Sequence, residues 1–205
     1  MTTKLSLLSL AFVLLQCSQR IEGTLSDDPI VDEIFTPAEV RDLQKALDFF
    51  EDQICLQSAG SEVNIRDCYQ SFFNSMKDWA TNGEMTVNIS FDEQRRLYQQ
   101  MDTSTFNSIW TFNKKIRSSS RDTLKILDFK YGGHYAKFLE KYGQESPVIA
   151  DYYDSFQYAG GISPGMIVIL IYDAEALDIS QAAIRLFIAI HYLTSNDQNN
   201  RNEAY

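Results

Sequence analysis

The chain has 205 residues, and its 28 acids against 18 Lys and Arg set a formal charge of −10. That acidity argues against nucleic acid, whose phosphates attract basic faces, and against electrostatic adsorption to anionic lipid. It favours solubility, while an aromatic share of 13% points to a Phe- and Tyr-rich core in a single domain.

The first residues have the pattern of an export signal. Lys4 is followed by an apolar run, Leu5 to Leu15, relieved only by Ser6 and Ser9. This matches the n-region and h-region of a secretory signal. It falls short of the roughly 20 apolar residues that a bilayer span needs. No good pair of small residues marks an ordinary cleavage site near Gln16 and Ser18. "Leu14-Leu15-Gln16-Cys17" resembles the lipobox of bacterial lipoproteins, with Gln16 in place of the usual Gly, Ala or Ser. The resemblance implies a signal peptide over 1–16 that is cut before Cys17. It also implies lipidation of Cys17 and attachment to the cell envelope, at the periplasmic face or the cell surface. Each buried acyl CH₂ contributes roughly 0.8 kcal/mol to such an anchor. The other reading is ordinary secretion, with Cys17 lost in the signal. Loss of residues 1–16 removes Lys4 and no acid, so the charge moves from −10 to −11.

Three cysteines are an odd number for an exported chain. If Cys17 carries lipid, Cys55 and Cys68 remain as a pair, and exported compartments allow disulfides. Two buried free thiols are the alternative.

Residues 17–34 are polar and acidic without sustained periodicity, and are expected to form a flexible tether. The domain is expected over 35–195. Thr36, Pro37 and Glu39 form a helix start with a capping box. Val40, Leu43, Leu47, Phe50 and Ile54 then give one apolar face. Ile65, Cys68, Phe72, Met76 and Trp79 give a second helix, ended at Asn82-Gly83. The two should form an antiparallel hairpin closed by Cys55–Cys68.

A capping box, Ser90 to Glu93, starts a short helix. Asn88-Ile89-Ser90 is a glycosylation sequon, with meaning only in a eukaryotic source. Phe106, Ser108, Trp110 and Phe112 alternate, and Leu124, Ile126 and Phe129 follow a turn-like Ser118 to Asp122. This reads as a small β-hairpin, with a pair of short helices as the alternative. Helices follow from Gly133, from Ser146-Pro147 and from Ser163-Pro164. Met166 to Tyr172 is apolar on all sides, as in a buried helix or strand, and its Ser-Pro start favours helix. Ala182 to Leu193 carries only Arg185 and His191 as polar residues, the pattern of a helix at the centre of a bundle. Residues 196–205 are expected to be a disordered tail.

The fold class expected is therefore mainly α: a helical hairpin plus a C-terminal helix bundle, with a small β-hairpin.

No constellation marks an enzyme. His134 and His191 lack metal-ligand spacing, and the scattered acids do not define a catalytic pair. No catalytic residue, metal ligand or cofactor is expected. His191 reads as a hydrogen-bonded core histidine. Arg185 is expected to pair with an acid, with Asp151, Asp154 and Asp173 as candidates. Tyr152 and Tyr153, with Tyr135 and Tyr158, could line a ligand groove, although such stripes more often fill a core. "YGGHYAKF" could present amides to an anion, but a turn before a helix explains it better. The function expected is a lipid-anchored envelope protein that acts by interaction or assembly. The alternative is an exported small-ligand-binding or hydrolytic protein with a pocket of Tyr and acids. Partners expected are the membrane, through lipid, and an envelope protein, but no nucleic acid.

Overall fold

The computed structural model describes residues 23–56, 64–82, 89–117 and 121–205. The signal-like segment, Cys17 and Asn88 of the sequon lie outside these residues. A 3₁₀ turn at Leu25–Asp27 leads into helix α1 (Pro29–Ile34) and then α2 (Pro37–Cys55). Helices α3 (Ile65–Asn82), α4 (Phe91–Gln100) and α5 (Thr103–Ile109) follow. Strands β1 (Trp110–Ile116) and β2 (Thr123–Phe129) form the only sheet among the described residues, an antiparallel pair in register from Trp110 opposite Phe129 to Ile116 opposite Thr123. Helices α6 (His134–Tyr142), α7 (Pro147–Ala159), α8 (Pro164–Tyr172) and α9 (Ala182–Asn200) complete the domain. The fold is mainly α with a small β-hairpin, as expected.

Local chemistry explains the best-marked starts. The Thr36 hydroxyl accepts from the Glu39 backbone N–H, and Glu39 Oε2 accepts from the Thr36 N–H at 2.8 Å, so the capping box is complete. The Ser90 box is only half made. Ser90 Oγ accepts from the Glu93 N–H, but the Ser90 N–H goes to Gln53 Oε1 on α2 at 2.8 Å. Ser163 caps Met166 of α8, whereas Ser146 makes no side-chain cap to α7.

Helix α9 runs through the centre, with Leu186 to Ile190 fully buried. On one side Tyr192 meets Phe72 edge-on at 4.8 Å and stacks with Phe50, joining α9 to α2 and α3. On another side Phe187 meets Tyr152 edge-on at 4.7 Å, and Phe129, Tyr135 and Phe156 continue that ring cluster into β2, α6 and α7. Cys55 and Cys68 form a disulfide with Cα atoms 5.0 Å apart, closing the α2–α3 hairpin.

Three expectations need correction. The segment expected as a tether is folded from residue 25. Leu25 and Val31 are fully buried, and burying such side chains stabilises by roughly 1.5–3 kcal/mol each. Asp28 caps α1 through the N–H groups of Ile30 and Val31, and also accepts from the Tyr142 hydroxyl of α6. One and a half helical turns are too short to show a period, and the partner lies 114 residues away.

The tail is also ordered. Asn196 Nδ2 donates to Gln94 Oε1 at 2.7 Å, which carries α9 on to Asn200. Beyond it, Leu124 bridges to Ala204, and the Tyr205 N–H donates to Thr123 O. Polar residues that satisfy one another over long separations leave no hydrophobic signature.

The hairpin, finally, starts later than the alternation suggests. Asp102 accepts from the Ser104 N–H and caps α5, so Phe106 and Ser108 are helical and the strand opens at Trp110.

Candidate functional site

The residues expected to matter are inside the protein. His191 is fully buried, with Nδ1 2.8 Å from the Tyr152 hydroxyl and Nε2 3.4 Å from Ser195 Oγ. Burial drives its pKa down to about 3, so the ring is neutral, as a core histidine should be. Arg185 is buried and does pair with an acid, but with Glu51 of α2, Nε to Oε1 at 2.7 Å, and not with Asp151, Asp154 or Asp173. Its Nη1 also donates to the carbonyls of Ile179 and Ser180, both at 3.1 Å. Tyr69 adds a hydroxyl to Glu51 at 3.3 Å. Burial raises the Glu51 carboxyl, and Arg185 offsets only part of that. Tyr152 is a core residue, and Tyr153 is half-buried, with its phenol raised first by burial and then by Glu140.

His134 bonds Glu39 Oε1 through Nδ1 at 2.9 Å. Burial pushes the Glu39 carboxyl up, but bonds from Thr36 and Ser108, with the nearby His134, hold it below its usual range. Gly133 caps α6, and its tight approach to the Ser108 carbonyl fits a structural turn.

An open-sided pocket of about 390 Å³ lies elsewhere, between α4, the start of α5, the sheet and the residues after α9. Its apolar wall is aromatic. Tyr98 and Phe106 meet edge-on at 5.4 Å, and Phe106 and Phe112 stack at 5.8 Å. Behind them Trp110 is fully buried, and its indole N–H donates to Thr194 Oγ1 at 2.8 Å, pinning β1 to α9.

The remaining wall is cationic. Arg201 forms a two-pronged pair with buried Asp197, both bonds 2.7 Å, and donates to Glu203 at 2.6 Å. Asp197 raises the Arg201 guanidinium, keeping it charged. Lys125 pairs with Glu203 at 2.8 Å. The Arg201 guanidinium sits 4.8 Å from the Phe112 ring centre, and Lys125 Nζ lies 5.9 Å from the same centre. Arg95 is exposed, and the guanidinium carbons of Arg95 and Arg201 both lie within 6 Å of the Phe91 ring, at 5.9 and 5.8 Å.

Comparison with known proteins finds no matching family model, no matching curated protein and no matching solved structure. The chain's own geometry therefore carries the argument.

None of the candidate site residues read from the sequence lines this pocket. Arg201 and Glu203 fall in the segment expected to be a disordered tail, and Arg95 belongs to a polar helix with no distinguishing spacing. Phe106 and Phe112 were visible as apolar positions, but a helix-to-strand switch at Trp110 is what places their rings together. Three cations facing two carboxylates beside aromatic rings can hold an anion, and can stack a flat apolar group.

Proposed function

We propose that the chain is an exported protein held to a bacterial cell envelope by lipid on Cys17, and that its folded domain acts by binding an envelope protein. The observation that carries the binding role is α8. This helix is apolar throughout, and while Met166, Leu170 and Ile171 are buried and Ile167 and Ile169 pack partly against the core, Val168 and Tyr172 are 52% and 58% exposed. The run from Met166 to Tyr172 was expected to be buried on all sides, and a helix that keeps apolar residues on its solvent side is a natural contact surface. The disulfide supports an oxidising, exported compartment. The lipobox-like residues before Cys17 support the anchor.

Two measurements test this reading. Intact mass and fractionation of the native protein should find it in membranes, beginning at Cys17 and heavier by acyl groups, with Cys17→Ser lacking the acyl mass and retaining residues 1–16. A soluble wild type that begins beyond Cys17 would overturn the anchor. A photo-reactive residue at position 168 should give a discrete cross-linked species in cells, lost when Tyr172 is changed to Asp. Its absence would overturn the α8 surface.

A second reading, small-ligand binding, is favoured by the pocket. Its lining includes Tyr98 and Glu203 but is dominated by Phe rings and cations, and none of Tyr135, Tyr152, Tyr153 and Tyr158 belongs to it.

A further inference from the structure

We propose that the pocket between α4, the sheet and residues 201–203 binds a small aromatic monoanion, of the aryl carboxylate class, with its ring against Phe106 and Phe112 and its carboxylate between Arg95, Arg201 and Lys125. This inference does not depend on the lipid anchor or on the α8 surface.

The charge balance favours an anion. The chain carries −10, so a place where three cations meet only Asp197 and Glu203 runs against the overall field. The local sum is one positive charge, which a single carboxylate neutralises. Asp197 lies behind Arg201, with a fully buried side chain, and its role is to hold that guanidinium in place. Arg201 is thus preorganised, and a fixed donor binds an anion at lower entropic cost than a mobile one.

Arg95 is the complement. It is exposed, and no carboxylate among the described residues lies within salt-bridge distance of it. Arg95 and Arg201 both lie against the Phe91 ring and both line the pocket, so each can contribute to holding an anion there. Gln99 at the rim adds a neutral hydrogen-bonding group.

Size and shape narrow the class. A volume of about 390 Å³ lies at the lower end of ordinary ligand sites, roughly 300–1,000 Å³. The stacked pair Phe106–Phe112 offers a flat apolar wall, and aryl rings pack on such walls in offset or edge-to-face geometry. An aliphatic anion would use the cations but waste the rings; a neutral aromatic would do the reverse. A latch that only ties residues 201–203 to β2 explains the Lys125–Glu203–Arg201 chain, but explains neither Arg95 nor the open aromatic wall.

The test is an amide-resolved NMR titration of the full chain carrying Cys17→Ser, with 2-naphthoate as the probe and neutral 2-naphthylmethanol as its control. Saturable shifts are expected at Arg95, Phe112 and Lys125 at millimolar probe. Affinity should fall about tenfold or more for naphthylmethanol and for Arg95→Ala, the loss of one charge-assisted contact. Arg95 is exposed, so Arg95→Ala should leave the fold intact; Lys125→Met is the second variant and should weaken binding in the same direction. Non-saturable shifts, shifts centred on Val168 of α8, or equal binding by Arg95→Ala would each overturn the proposal.

Discussion

The Tyr152 hydroxyl and His191 Nδ1 are 2.8 Å apart inside the core, tying α7 to α9. The rings around His191 are Tyr152 and Tyr192, and burial lowers its pKa from 6.5 to about 3. The folded protein therefore refuses a proton that the unfolded chain accepts. His191's contribution is complete above pH 6.5 and is lost as pH falls from there towards 3. The loss is at most about 1.4 kcal/mol per pH unit. Burial raises Glu51 and Asp197, so these carboxyls oppose the trend at lower pH. Urea unfolding at pH 7 and pH 5 should show a smaller drop for His191→Gln than for wild type.

Tyr152 and Tyr192 should respond oppositely to loss of their hydroxyls. Tyr192 Oη is buried without a hydrogen-bond partner. Tyr192→Phe removes an unsatisfied group and should be neutral or stabilising, by about 1 kcal/mol. Tyr152→Phe leaves His191 Nδ1 unpaired in the core and should destabilise by about 1–3 kcal/mol. Chemical denaturation of the two variants side by side measures both.

The Glu51–Arg185 pair joins the C-terminal part of α2 to the start of α9. Removing one partner strands the other. Arg185→Ala and Glu51→Ala should each destabilise by roughly 3–5 kcal/mol. Replacing both residues by Leu should recover much of that loss, because no uncompensated charge remains. A double-mutant cycle in urea reads the difference.

One turn beyond Glu51, the Cys55–Cys68 bridge closes the same hairpin over 13 residues. Reduction should lower stability by about 3 kcal/mol in the chain-entropy model. Unfolding midpoints with and without reductant, together with native mass showing no free thiol at either position, check it.

Gly133 makes no use of a positive φ, but it has no room for a side chain. A Cβ there would lie 2.4 Å from the Ser108 carbonyl oxygen. Gly133→Ala should destabilise by roughly 1–3 kcal/mol through the forced shift, seen as a lower thermal midpoint.

Features held by near neighbours in the chain were legible in its sequence. Thr36-Pro37 and Glu39 marked α2, spacings of three and four residues marked the buried face of Leu43, Leu47, Phe50 and Ile54, and the apolar run around Phe187 marked the central helix. Features held by distant partners were not. Asp28 is ordered by Tyr142, Arg185 by Glu51, and Asn196 by Gln94, and no local pattern announces such pairs. The pocket was missed for the same reason. Its cations come from three separate stretches of chain, and its rings meet only because helix turns to strand at Trp110.

The bridge from Leu124 to Ala204 also bears on how the protein behaves in a crowded solution. A two-stranded sheet has two free edges, each able to recruit a strand from another molecule. On the β2 side, Lys125 and Thr123 are already engaged by the backbone of Glu203 and Tyr205. The β1 side carries Lys114 and Lys115, whose charges repel an approaching copy. Residues 203–205 thus act as a built-in edge strand. A chain cut after Asn202 keeps the Arg201–Asp197 pair, so it should keep its helices but gain a tendency to associate through β2, with oligomers rising with concentration in light scattering.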